Sequence, residues 1–128
     1  KLSPGDSNAR FVRFDSNGGD QSVGDNNKMN APYAGSLIKV VVRGTNAPGS
    51  TVVGLHTNTD TNQNLNGTAT EEITVNMSAA NTCFTFSFTA AANYGPGDIV
   101  GIKINPSSDP GTVTATATWE FETYSWLN

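Results

Sequence analysis

The chain has 128 residues, 36% hydrophobic and 14% charged, with 11 Asp and Glu against 7 Lys and Arg for a net charge of −4. That length supports one domain whose core needs no covalent staple, and the single cysteine, Cys83, excludes an intrachain disulfide. An acidic chain lacks the basic footprint that a phosphate backbone attracts, so nucleic acid is not an expected partner, and no apolar run approaches the ~18 residues of a membrane span.

Residues 1–9 are polar and turn-rich, an arm or linker ahead of a single domain over 10–128. The chain starts at Lys1 without a basic-then-apolar leader, which suggests a mature or excised piece of a longer protein. Arg10–Asp15 reads as a short strand. Residues 16–27 are dense in Ser, Asn, Gly and Asp, which tolerate positive φ and form Asx turns, so they read as a loop. A brief strand near 28–30 leads to the breaks at Pro32 and Gly35. Ser36–Gly44 is a strong strand; strict alternation puts Ile38, Val40 and Val42 on one face and Leu37, Lys39, Val41 and Arg43 on the other. Thr51–Thr57 is the next strand, followed by the long polar loop 58–70.

Glu71–Ser78 points Ile73, Val75 and Met77 inward, and Thr82–Ala90 carries a ridge of Phe84, Phe86 and Phe88. Ile99–Ile104 alternates so that Val100, Ile102 and Ile104 face in. The last strand, Thr112–Glu122, is the cleanest: apolar at every odd position, hydroxyl or carboxylate at every even one. The phenylalanine ridge is expected opposite Trp119 and Phe121. No segment shows a capped helical period. About eight strands separated by Gly, Pro and Asn turns predict an all-β, two-sheet antiparallel sandwich, a jelly roll, with an immunoglobulin-like sandwich as the alternative.

Reactive chemistry is thinly supplied. His56, the only histidine, sits in a strand and has no Gly-x-Ser-x-Gly elbow to serve, so it is expected to be a hydrogen-bonded or half-exposed strand residue. Cys83 lies in an alternating segment and is expected to be a small buried hydrophobe. One Cys and one His do not make a zinc site. Glu120 and Glu122 share a face at roughly 6.6–6.8 Å, numerically like a glycosidase pair, but solvated charge is the expected role. Asp15, Asn17, Asp20, Asp25 and Asn26 crowd one loop and Asp60, Asn62 and Asn64 another. Calcium favours such oxygen-rich loops, yet Asp20 stands where the helix-loop-helix pattern requires Gly, and turn chemistry accounts for these residues. No enzyme, metal or cofactor is expected.

Ala31–Arg43, Gly49–His56, Glu71–Thr82 and Gly97–Pro106 together resemble a family of small β-domains in virion proteins of tailed bacteriophages of aquatic bacteria, cyanophages included. The likeness covers about residues 10–122, as a texture rather than a catalytic motif. It implies a jelly-roll module, often trimeric, on the virion surface as a fibre, tail-tip or capsid-decoration part. The expected function is therefore a structural virion protein acting by assembly with itself and other virion proteins. Leu37, Val41, Tyr124, Trp126 and Leu127 are the candidate subunit contacts. The alternatives are a receptor-binding fibre tip that reads a host glycan through Asp60, Asn62, Asn64 and Tyr94, and a carbohydrate-binding module attached to an enzyme.

Overall fold

A computed structural model describes residues 9–12, 19–20, 28–59, 64–65 and 67–122, with backbone alone at 19–20. The strands are β1 (Arg10–Val12), β2 (Gly19–Asp20), β3 (Met29–Asn30), β4 (Gly35–Gly44), β5 (Gly49–Asn58), β6 (Glu71–Met77), β7 (Cys83–Ser87), β8 (Asn93–Tyr94), β9 (Ile99–Pro106) and β10 (Val113–Phe121). They form a six-stranded sheet ordered β2-β1-β9-β5-β6, with β3 also on β9, and a four-stranded sheet ordered β10-β4-β7, with β8 also on β4. Every pairing is antiparallel. The fold is an all-β two-layer sandwich, jelly-roll-like. Among the described residues no helix is long and apolar enough to cross a membrane.

The alternation read from the sequence builds the core directly. β5 and β9 pair with Val53 beside Ile104 and Leu55 beside Ile102, all buried. Against them the other sheet sets Leu37, Val40 and Val42 from β4, Phe86 from β7 and Val113 from β10. Ile73, Val75, Phe84, Phe88, Trp119 and Phe121 pack around this centre, partly buried. Each such side chain removed from water contributes about 1.5–3 kcal/mol. The phenylalanine ridge and the tryptophan strand do not face each other, however. β7 and β10 flank β4 in one sheet, and what covers both is the six-stranded sheet. Alternation says which side chains share a face, but not which strands share a sheet.

Strict alternation also fails at one point in β4. Thr118 pairs with Lys39 but Trp119 pairs with Leu37, so Ile38 is an extra residue and the parity slips by one. Leu37, expected among the outward subunit contacts, is instead fully buried, and Ile38, expected inside, is 37% exposed. At the bulge Leu37 N–H donates to Ala92 O at 2.8 Å, and Ile38 O accepts from Phe88 N–H at 2.9 Å.

Beyond the bulge the outward face of the four-stranded sheet is regular. Three cross-strand rows read Thr114–Arg43–Cys83, Thr116–Val41–Thr85 and Thr118–Lys39–Ser87. Val41 is half-buried on this face, the side on which it was expected. Cys83 is exposed, contrary to expectation, because it shares parity with Thr85 and Ser87 rather than with the phenylalanines. Native protein is therefore expected to give its one thiol to Ellman's reagent without denaturant; a thiol that appears only on unfolding would contradict this placement.

Tyr94, a candidate glycan contact under the alternative reading, is an anchor of the core. It is 5% exposed. Its ring meets Trp119 and Phe121 edge-on, each at 5.8 Å between centroids. Its hydroxyl donates to Glu120 O at 3.0 Å, tying β8 to β10 across β4. Burial pushes the phenol up from its ordinary value, and the nearby Glu120 charge adds to that.

Candidate functional site

The most chemically mixed concavity lies on the outward face of the six-stranded sheet, where β5, β9 and β6 run side by side. Alternation turns Gly54 and His56 outward on β5, Lys103 and Asn105 on β9, and Glu72 on β6. The registers place Gly54 between Lys103 and Glu72. Residues 67–70 wall the far side, leaving a recess of about 520 Å³. Gly54 is needed on its floor: a Cβ there would stand 3.3 Å from Glu72 Cγ and from Ala69 Cβ, and 3.4 Å from His56 Nε2.

His56 is the buried member. It is 4% exposed, and Phe11 from β1 meets its ring edge-on at 5.2 Å. Phe11, Leu65 and Ile99 form a small second apolar cluster on this outward side, and Lys103 Nζ lies 5.3 Å from the Phe11 ring centroid. The cluster fixes the described residues 64–65 against the sheet. Leu65 is the apolar peg, Asn58 Nδ2 donates to Asn64 O at 2.7 Å, and Thr70 N–H donates to Leu55 O at 2.7 Å. Backbone hydrogen bonds of the His56 ring to Leu65 and Gly67 meet the expectation of a hydrogen-bonded strand histidine, but Nδ1 is buried with no hydrogen-bond partner among the described residues. Leaving such a group unpaired is costly, and a charge there would cost more.

Burial, and then the Lys103 charge, hold the His56 pKa below its ordinary value of 6.5; Glu72 and the Leu65 and Gly67 backbone pull the other way without prevailing. The folded state thus prefers neutral imidazole, while the unfolded chain binds a proton near its ordinary pKa. Stability is at its plateau above about pH 6.5 and is lost as pH falls from there towards the folded pKa. Urea midpoints taken from pH 8 down to pH 5 are expected to fall in wild type and to fall less in His56→Phe. Parallel curves for the two proteins would remove His56 from the cause.

The recess offers donors from Lys103 and Asn105 and an acceptor from Glu72, enough to hydrogen-bond a small polar ligand. Glu71 is already engaged, its two oxygens meeting Thr89 N–H at 2.8 Å and Thr89 Oγ1 at 2.7 Å. Among the described residues no exposed aromatic ring lines the recess. Among the described residues no group of three or more His, Cys, Asp or Glu is placed to hold a metal ion.

The other predicted positions scatter. Asn64 is exposed at the loop's edge, with its carbonyl bonded to Asn58. Asp60, Asn62, Tyr124, Trp126 and Leu127 lie outside the described residues, as do Asp15, Asn17, Asp25 and Asn26. Glu120 and Glu122 border a second recess, of about 550 Å³, with Ser36, Asn93 and Tyr94. Lys103, Glu72, Asn105 and Phe11 were not singled out from the sequence. Their outward parity was visible, but the strand order that gathers them was not. Comparison with protein-family models, with curated proteins and with solved structures finds no match for this chain.

Proposed function

We propose that the chain is a structural domain of a virus particle, of the kind used as a capsid decoration or fibre module in tailed bacteriophages, working on the virion surface by contact rather than by catalysis. The observation that carries this reading is the outward face of β10, β4 and β7. Its three rows set threonine and serine hydroxyls and Cys83 around Lys39, Val41 and Arg43, with Glu120 beside Ser36 as the carboxylate at the end of the face, although the chain carries a net charge of −4. A hydrogen-bonded sheet face that presents hydroxyls and two cations suits docking by contact. The likeness of residues 31–43, 49–56, 71–82 and 97–106 to phage virion domains supports the same reading. The test is mass spectrometry of density-gradient-banded particles of a virus that encodes the chain. A stoichiometric share of the particle is expected, and absence from the particle would sink the proposal.

A second reading, recognition of a host glycan, is favoured by the donors and acceptor that converge beside His56. Binding to a glycan array that disappears in Lys103→Ala and Glu72→Gln would establish it, and an array with no positive spot would remove it.

A further inference from the structure

The recess beside His56 brings opposite charges to the two sides of a bare floor. One cross-strand row reads Lys103–Gly54–Glu72, so an ammonium and a carboxylate flank a residue with no side chain. Their Cα atoms are two strand spacings apart, roughly 10 Å, and both residues line the recess. Behind burial, the leading cause, Lys103 lowers the His56 pKa and Glu72 raises it, so both charges are felt at that ring. Lys103 is half-buried, with Nζ 5.3 Å from the Phe11 ring centroid. A ring face engages the charge of an ammonium and leaves its N–H donors for an anion. Asn105, two residues along β9 on the same face, adds a carboxamide beside it, and Thr68 adds an exposed hydroxyl on the wall.

The strength of the available bonds selects among ligands. A neutral sugar trades water for protein hydrogen bonds at small net gain, and among the described residues no exposed ring stands at the recess for it to lie on. A charge-assisted hydrogen bond is roughly twice as strong as a neutral one. A ligand carboxylate at Lys103 and Asn105 gains that strength, while Glu72 accepts from hydroxyls on the ligand's other side. A dianion fits less well, because Glu72 stands opposite. At about 520 Å³ the recess has room for one sugar ring, and Gly54 lets that ring lie close to the sheet. The recess by Glu120 and Glu122 is the contrast: no lysine or arginine stands among its described lining residues.

We propose that this recess takes a hexuronate, a sugar ring bearing one carboxylate, with the carboxylate on Lys103 and Asn105 and the hydroxyls opposite it on Glu72 and Thr68. This rests on the glycan reading above and names the class of sugar. The carboxylate and the hydroxyls farthest from it lie on opposite sides of a pyranose, which matches the order of charges across Gly54. A single carboxylate also leaves Glu72 facing donors rather than a second anion.

Amide NMR of the whole chain, titrated with galacturonate and glucuronate at constant ionic strength, tests it. Saturating shifts are expected at Gly54, Lys103 and Glu72, with the acid binding roughly tenfold tighter than its methyl ester or the parent hexose. Lys103→Gln is expected to lose the same factor for the acid and to bind acid and ester alike, because ammonium and carboxylate act as one pair. If that variant fails to fold, the comparison of acid with ester on wild type decides alone. An ester or hexose that binds as tightly as the acid overturns the acidic class and leaves the glycan reading intact. Equal shifts from acetate at the same concentration, or shifts centred on Lys39 and Arg43, reduce the effect to an anion meeting a cation and overturn the site. Silence from every sugar overturns the hexuronate too, and the glycan array then decides the glycan reading separately.

Discussion

Leu37→Ala is expected to lower the unfolding free energy by about 2–5 kcal/mol, and Ile38→Ala, one residue along, by about 1 kcal/mol or less. Regular alternation from Ser36 to Gly44 assigns those costs the other way round. The difference is the single unmatched residue in β4, which turns Leu37 into a site with no exposure and leaves Ile38 37% exposed. Leu37→Asp sharpens the contrast, because a carboxylate there has neither water nor a partner and the chain is expected not to fold. Urea titration of the two alanine variants at matched slope is sufficient. Equal midpoints, or the larger loss at Ile38, would put the slip in the wrong place.

Gly35→Ala carries the second large effect. Gly35 pairs with Phe121 on one side and Tyr94 on the other, beneath the bond from the Tyr94 hydroxyl to Glu120 O. A Cβ there would fall on the Glu120 carbonyl oxygen, and 2.9 Å from the hydroxyl itself. Because one obstacle is backbone rather than a flexible side chain, relief means parting β4 from β10, at about 2–4 kcal/mol. Tyr94→Phe keeps the ring contacts with Trp119 and Phe121 and loses one hydrogen bond, about 1 kcal/mol. The two are expected to be less than additive, since the alanine has already displaced the hydroxyl. Thermal melts resolve this, one kcal/mol being roughly 2–8 °C for a domain of this size. A Gly35→Ala melt within a degree of wild type would show that the crossing is not tight.

The strands that alternate cleanly were the legible part. Ile73, Val75 and Met77, then Val100, Ile102 and Ile104, then Val113 to Phe121 all face as their period says, because a half-buried strand has one dry side. The parity of Cys83 was legible as well: it alternates out of phase with three phenylalanines, and the rarity of exposed cysteine was the weaker guide. The bulge was not legible, since one extra residue costs a strand little and leaves no compositional mark. Nor was Tyr94, whose two-residue strand is too short to show a period. Sheet partnership was hidden for a different reason. The recess by His56 is a product of long-range register, which a local pattern does not encode.

The peg at Leu65 divides the molecule thermally. Its cluster with Phe11 and Ile99 lies across the sheet from the main core and shares no side chain with it. Among the described residues of this stretch, 64–65 and 67–70 are therefore fastened independently of the main core. Amide exchange at Thr70 is expected to run faster than at Val53 or Ile104. Residues 67–70, outside both apolar clusters, are free to change their sequence over evolutionary time without endangering the scaffold beneath them.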